Sequence, residues 1–228
     1  MPTTFVFVHG AFGSPAELAP TAPCLESAGH RVVNVDLPCE RPDATLEDYA
    51  DTVVRAMAGI AGSRILVAHS AGGATIPLVA PRIVVDRLVF AAAVVPAPGQ
   101  SLAEAAGPET MAAIMSVSVD NGDGTRSFDV DLLASLAPPD QRDAYLAFLR
   151  ATQRKQGMRA LMQPWPGAGM PAVPRSYILC TEDKIIPPGR QRLFAASLGV
   201  SPIEIASEHA VFATKPAELA GILGSFAG

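Results

Sequence analysis

The sequence predicts an α/β fold, in which a parallel sheet is covered by helices on both faces and interrupted by one large insertion. Runs rich in β-branched and aromatic residues occur in six places, and most of them lack the alternation typical of a half-exposed strand. Helical patterns lie between these runs, and strands that alternate with helices form parallel sheets. The predicted strands are residues 4–9, 31–37, 64–69, 86–95, 175–180 and 202–207.

Composition and charge limit the class of protein and its partners. The 228 residues are 49% hydrophobic and 17% charged, which is typical of one globular domain with a large core. The net charge is −5 and no cluster of lysine and arginine occurs, so the chain lacks the basic surface that nucleic acids or anionic membranes require. We therefore expect a small-molecule substrate, no nucleic-acid partner and no membrane partner. The sequence leaves the oligomeric state open.

The first residues and the cysteines bear on the cellular compartment. The stretch MPTTFVFVHG has neither a basic segment nor a cleavage site, so we expect no signal peptide. The three cysteines are odd in number and have no CxxC spacing, which argues against a disulfide framework or a zinc site. Residues 65–81 carry no formal charge, but their glycines and prolines favour a buried strand, turn and helix over a membrane span. A cytoplasmic location is the resulting prediction.

Residues 45–60 show the signals of a helix. Thr45 is a suitable N-terminal cap, and acidic residues follow it in the first turn. Gly59 or Gly62 is expected to end the helix.

The regular alternation stops after Val95, and residues 97–165 are predicted to form a lid inserted into a core of residues 1–96 and 166–228. Asn121-Gly122 lies between two alternating stretches and predicts a hairpin, and residues 131–150 are predicted to be helical with an interruption at two prolines. Apolar side chains of this segment more often serve packing than ligand binding. Those available to line a pocket are Met111, Met115, Phe128, Leu149, Met158, Met162 and Trp165.

The stretch LVAHSAGG contains the first candidate catalytic residue. Ser70 follows a predicted buried strand and precedes two glycines, an arrangement that places a serine on a sharp turn above a sheet. The usual signature is G-x-S-x-G, and this chain has Ala68 at the first glycine position, where one extra methyl group still permits the turn. Ser70 is therefore either a nucleophile or an ordinary hydroxyl at the end of a strand.

A serine nucleophile needs a histidine that takes its proton and an acid that orients the histidine. Of the four histidines, His209 alone lies downstream of the serine, in the loop after the last predicted strand. The stretch YILCTEDK supplies Glu182 and Asp183 as candidate acids after the penultimate strand. Each of these residues also has an ordinary alternative, as a surface-loop histidine, a helix cap or a solvated turn.

Acyl transfer also needs donors for the oxyanion that develops on the substrate, usually two backbone N–H groups. Ala71 follows the candidate nucleophile and is expected to supply one of them. The loop VHGAFGSP after the first strand is expected to supply the other from Ala11.

The chain resembles the α/β-hydrolase superfamily, within its branch of plant methyl esterases and hydroxynitrile lyases and their bacterial relatives. The segments that carry the resemblance are FVFVHGAFGSP, VAHSAGG, VPAPGQSL, YILCTEDKIIPP and SEHAVFATKP. The resemblance implies a six-stranded sheet with the strand order 2-1-3-4-5-6 and a pocket between the core and a cap. It also implies that Asp183, the aspartate of the TED segment, completes a catalytic triad with Ser70 and His209.

Two positions distinguish the esterases of this branch from its lyases. Hydroxynitrile lyases carry a threonine where this chain has Gly10, and a lysine that favours the cyanide leaving group where it has Ala210. The resemblance therefore implies hydrolysis of a small apolar or aromatic carboxylic ester through an acyl-enzyme, with no cofactor and no metal. The alternatives are lactone or thioester hydrolysis or a cyclisation on the same triad, and a non-catalytic ligand-binding protein on a hydrolase scaffold.

Overall fold

The computed structural model describes residues 2–227, and its centre is a six-stranded sheet. The strands are β1 (Thr4–Val8), β2 (Arg31–Val35), β3 (Arg64–His69), β4 (Arg87–Ala91), β5 (Ser118–Asp120), β6 (Thr125–Phe128), β7 (Gln156–Gly157), β8 (Arg175–Cys180) and β9 (Ile203–Ile205). The order in the large sheet is β2-β1-β3-β4-β8-β9, and every neighbouring pair is parallel. The predicted fold class and strand order are confirmed.

Helices cover both faces of this sheet. They are α1 (Pro15–Leu18), α2 (Ala22–Ser27), α3 (Leu46–Ala56), α4 (Ile76–Val79), α5 (Leu102–Ala106), α6 (Pro108–Ser116), α7 (Val130–Ser135), α8 (Arg142–Thr152), α9 (Arg159–Met162), α10 (Pro188–Ser197), α11 (Val211–Thr214) and α12 (Pro216–Gly224), with 3₁₀ turns at Ala19–Thr21 and Ser70–Ala74. Side chains of β1 alternate between the faces, because successive residues of a strand point in opposite directions. Val6 and Val8 join the core with α3 and α10, whereas Phe5 and Phe7 join the core with α2 and α12.

The N-terminal signals of α3 are confirmed. The Thr45 hydroxyl accepts a hydrogen bond from the Asp48 N–H at 3.2 Å, and the Asp48 carboxylate accepts one from the Thr45 N–H at 2.9 Å. This reciprocal pair satisfies two N–H groups that the first turn of a helix leaves free. The helix ends at Ala56, a few residues before the predicted glycine stop.

Four of the six predicted strands are too long, β1 by a single residue. The prediction of 86–95 is wrong at its end, because Ala92 has a φ of 45° and turns the chain out of β4. Val94 beyond this turn donates its N–H to the Ser70 carbonyl at 2.9 Å. β2 and β9 are the outer strands and are also shorter than predicted. β2 is partly exposed, since an edge strand is covered less completely than an inner one.

The segment between β4 and β8 contains helices α5 to α9 and a three-stranded antiparallel sheet of β5, β6 and β7. The predicted hairpin is present, and its turn closes where the Asn121 N–H donates to the Thr125 carbonyl. Gly122 and Gly124 in this turn have φ of 74° and 82°, in the left-handed region that favours glycine. Leu102 and Trp165 of the segment belong to the same apolar cluster as Val6 of β1.

Chain direction across the sheet changes at β1 and β3. The chain leaves β1 toward β2 on one side and later returns to β3 on the other, although β1 and β3 are neighbours. In open parallel sheets the crevice at such a switch point, beyond the carboxyl ends of the strands, is where ligands bind. Ser70 directly follows β3 at this edge.

Candidate active site

Ser70 lies on a strained turn between β3 and a short 3₁₀ helix. Its φ is 51°, which is unusual for a residue with a side chain. Strained residues of this kind persist where the surrounding structure holds them, and they concentrate at functional sites. The turn matches the strand-to-helix elbow that the sequence predicted for a nucleophile.

The glycines after Ser70 permit close approach of neighbouring backbone. A Cβ atom at Gly72 would lie 2.7 Å from the Val8 carbonyl oxygen, and one at Gly73 would collide with the Val94 carbonyl oxygen. Real side chains do not tolerate such contacts, so the elbow can pack against the ends of β1 and β4 only with glycines here. The small residues of the LVAHSAGG stretch therefore have a steric cause.

The loop after β1 lies against the Ser70 side chain. A Cβ atom at Gly10 would be 2.8 Å from the Ser70 Cβ and 3.3 Å from its Oγ. Ala11 of this loop and Ala71 of the elbow line the same cavity as Ser70. The structure thus brings the two predicted oxyanion-hole residues to the candidate nucleophile.

Asp183 is completely buried and receives four hydrogen bonds. One carboxylate oxygen accepts from the N–H groups of Ile185 at 2.8 Å and Ile186 at 2.9 Å. The other accepts from the Gln191 amide at 2.9 Å and from His209 Nδ1 at 2.7 Å. Glu182 is exposed, so of the two candidate acids it is Asp183 that orients the histidine.

His209 is held in the tautomer that a base requires. A carboxylate only accepts hydrogen bonds, so Nδ1 carries the proton that faces Asp183, and Nε2 is left with its lone pair. Within residues 2–227 the structure contains no hydrogen bond between this Nε2 and the Ser70 hydroxyl. Such contacts are often long in the absence of substrate and tighten when it binds. The acid and histidine are therefore in contact, and the serine follows β3 at the same edge of the sheet.

A second buried acid lies below the elbow. Glu17 of α1 has one carboxylate oxygen 3.2 Å from His69 Nδ1, off the line of a good hydrogen bond, so the attraction is mainly electrostatic. His69 Nε2 donates to the backbone carbonyl of His209 at 2.9 Å, and the two imidazole rings are 4.6 Å apart. Through His69, the acid supports the loop that carries the candidate base.

The charge states of this pair depend on each other. Burial is the largest single effect and would raise the pKa of the Glu17 carboxyl, but the attraction of His69 and the smaller effects of His209 and His9 together lower it. Burial is also the largest single effect on His69 and would lower its pKa, but the attraction of Glu17, the His209 carbonyl and the charge of Asp183 together raise it. Each group therefore favours the charged form of the other. The sequence reasoning missed Glu17, although it is the single charged residue between His9 and Glu26.

A cavity of about 490 Å³, including its open mouth, begins at Ser70. Its walls are almost entirely apolar, and much of its lining comes from the segment between β4 and β8. Of the apolar residues considered from the sequence, Met111 and Met158 line it, whereas Met162 is exposed and Trp165 is buried in the core.

Among residues 2–227 there is no helix with the length and apolarity needed to cross a membrane.

Comparison with known proteins agrees with this arrangement. Residues 5–222 match the alpha/beta hydrolase family. The chain is 26% identical to a pyrethroid hydrolase of Sphingobium wenxiniae, over 99% of this chain and 88% of that protein. It is 28% identical to methylesterase 2 of Arabidopsis thaliana, over 82% of this chain and 81% of that protein.

A solved structure shows the same relationship. The crystal structure of polyneuridine aldehyde esterase superposes with a TM-score of 0.79 and 25% sequence identity, and each chain is covered completely. The resemblance inferred from the motifs is therefore confirmed. The chain belongs to the α/β-hydrolase family and lies with its esterases.

Proposed function

We propose that this protein hydrolyses small apolar carboxylic esters through a triad of Ser70, His209 and Asp183. The observation that carries the proposal is the 2.7 Å hydrogen bond from His209 to buried Asp183 at the sheet edge where Ser70 occupies a left-handed elbow. In this proposal Asp183 is the acid, His209 the base and Ser70 the nucleophile, as in other serine hydrolases.

In the proposed reaction the Ser70 oxygen attacks the ester carbonyl while His209 Nε2 takes its proton. The tetrahedral oxyanion receives hydrogen bonds from the N–H groups of Ala11 and Ala71. His209 then gives its proton to the departing alcohol, which leaves an acyl group on Ser70. Water, deprotonated by His209, attacks this acyl-enzyme and releases the acid together with free Ser70.

The cavity supports an apolar substrate. Residues of the 97–165 segment, which we propose acts as the lid, contribute apolar side chains opposite the elbow, among them Leu102, Met111 and Met158. A charged acyl group would lose its hydration there without gaining a partner. The names of the relatives, methylesterase and pyrethroid hydrolase, are in accord with ester cleavage.

Steric space favours the esterase over the lyase chemistry of the same branch. A threonine at position 10 would begin with a Cβ atom 2.8 Å from the Ser70 Cβ, so it does not fit without a shift of the elbow or loop. Ala210 offers no positive charge to a cyanide leaving group. Both positions therefore support hydrolysis.

The test compares Ser70→Ala with the wild type on a panel of short-chain p-nitrophenyl esters. We expect kcat/KM to fall by about 10⁴-fold or more, because the covalent step is lost. Ser27→Ala is the matched control, since Ser27 is an exposed serine at the end of α2 and should behave as wild type. Retention of activity in Ser70→Ala would exclude the proposed mechanism.

A further inference from the structure

The loop that lines the Ser70 site is held by the inserted segment as well as by the core. Phe12, the residue after Ala11, is buried and has a φ of 59°, so its backbone lies in the left-handed region. Residues with side chains seldom adopt this conformation unless neighbours enforce it. The neighbours that contact its backbone and ring come from residues 128–156.

Three groups of Phe12 are fixed at once. Its carbonyl accepts a hydrogen bond from the Arg154 N–H at 2.7 Å, and its N–H donates to the Gln156 side-chain oxygen at 3.1 Å. Its ring stacks on Phe128 of β6, with 4.2 Å between the ring centroids. Phe128 lies in β6 and Gln156 lies in β7, and these two strands pair. The small antiparallel sheet therefore contacts Phe12 through both its ring and its N–H.

Both polar atoms of the Gln156 side chain have hydrogen-bond partners. It is 1% exposed, and its nitrogen donates to the Tyr49 hydroxyl at 3.1 Å and to the Gly157 carbonyl at 2.7 Å. The reversed amide would turn its NH₂ group toward the Phe12 N–H, placing two donors against each other, so the oxygen must face the loop. A buried amide whose polar atoms all have hydrogen-bond partners has little freedom to rotate. The Phe12 N–H that it binds is therefore also held in place.

The Arg154 side chain contacts the same loop at a second place. Its guanidinium is 2.7 Å from the Asp36 carboxylate and donates to the carbonyls of Gly13 and Leu37. It thereby ties the far end of the loop to the chain that follows β2.

We propose that Gln156, assisted by Arg154, is a positioning residue for the oxyanion hole. The inference rests on the proposed function, in which the Ala11 N–H is one of the two donors. Fixing the N–H and carbonyl of Phe12 fixes the peptide next to Ala11, and so limits the direction in which the Ala11 N–H points. The insertion is then part of the apparatus that stabilises the transition state, in addition to lining the cavity.

A donor that acts on the oxyanion matters in the transition state more than in substrate binding. Gln156→Leu removes the acceptor for the Phe12 N–H but keeps an apolar side chain of similar size. We expect kcat for a p-nitrophenyl ester to fall by about 10- to 100-fold, with KM changed by less than about twofold.

Gln163→Leu is the matched control. Gln163 also joins the insertion to the core, since its oxygen accepts from the Leu46 N–H and its nitrogen donates to Glu47. Both of these partners lie at the start of α3 and neither belongs to the loop after β1, so the loss of Gln163 should leave kcat within about twofold of wild type. A fall of kcat in Gln163→Leu as large as that in Gln156→Leu would show a general loosening and overturn the proposal.

A second readout separates this inference from the proposed function. A fluorophosphonate probe forms an O–P bond with a serine nucleophile and releases fluoride, and its rate is followed by mass spectrometry, with Ser70→Ala as the blank. Phosphonylation also places an oxygen in the oxyanion hole, so Gln156→Leu should slow it by a similar factor even if no ester is cleaved. An unchanged rate in a variant that remains folded by thermal unfolding overturns the positioning role. Labelling without ester hydrolysis in the wild type contradicts only the proposed substrate class.

Discussion

Glu17 and His69 form a buried pair in which each member favours the charged form of the other. Glu17 lies beneath the elbow, and His69 connects it to the carbonyl of His209. Burial disfavours the charged form of either group alone, whereas each charge favours the other. Such a pair stabilises the fold only while both charges persist, so its contribution depends on pH.

Glu17→Gln should therefore destabilise the protein most in a defined pH window. The folded pKa of His69 lies above its ordinary 6.5, so its contribution is complete below pH 6.5 and is lost as the pH rises through the raised value. The folded pKa of Glu17 lies below its ordinary 4.5, so its contribution is present above pH 4.5 and is lost as the pH falls through the lowered value. The loss in unfolding free energy should be largest between pH 4.5 and 6.5, at about 2 kcal/mol.

Urea denaturation of wild type and Glu17→Gln at several pH values measures this difference. Glu26→Gln serves as control, because Glu26 is an exposed acid on α2. A loss of stability that is the same at pH 5.5 and pH 9 would show that the carboxylate acts by shape and not by charge.

At the scale of single elements, local signals predicted what depends on local contacts. Thr45 and Asp48 are three residues apart, so their reciprocal capping could be inferred from the sequence alone. The end of β4 could not be inferred in this way. The chain turns out of the strand at Ala92, and the Val94 N–H beyond this turn donates to the Ser70 carbonyl. That partner is distant in sequence, and an apolar run gives no sign of it.

Thr45→Ala should weaken α3 without affecting the site. The change removes the acceptor for the Asp48 N–H, and loss of an N-cap costs about 1 kcal/mol. Chemical denaturation measures the loss, and kcat/KM for an ester should be unchanged because α3 begins outside the candidate triad. Thr45→Ser keeps the hydroxyl and should retain most of the stability. A Thr45→Ala variant as stable as wild type would show that the reciprocal hydrogen bonds of Thr45 and Asp48 contribute nothing to the stability of the protein.

At the scale of the whole molecule, the sheet and the three candidate triad residues were predictable, and the contacts of the insertion were not. Parallel strands meet at one edge, so residues that follow β3, β8 and β9 had to come together. Gln156 lies in a two-residue strand, too short to produce a pattern, and its partners Phe12 and Tyr49 are more than one hundred positions away. A polar residue that positions a site by a hydrogen bond to the backbone of a distant segment leaves no recognisable pattern in the sequence.

At Gly157 the segment between β4 and β8 lies directly against the chain that follows β2, and this contact provides a test of how the two are joined. The Gly157 N–H donates to the Cys39 carbonyl at 2.6 Å, and a Cβ atom there would collide with the Arg41 carbonyl oxygen and lie 3.0 Å from the Pro42 Cα. Because the obstacle is backbone, Gly157→Ala must push β7 away from the core. We expect a loss of about 2 kcal/mol in unfolding free energy and faster proteolytic cleavage within the insertion.

The matched control for this change is Gly221→Ala in helix α12, where a Cβ atom would meet nothing within 4 Å. Alanine is the better helix former, so that variant should be as stable as wild type or more stable by up to about 1 kcal/mol. Urea denaturation and limited proteolysis, with cleavage sites read by mass spectrometry, measure both variants. If Gly157→Ala matched Gly221→Ala in both measurements, the attachment of this segment would not depend on Gly157, and the contacts of Gln156, Arg154 and Phe128 would suffice to hold the loop after β1.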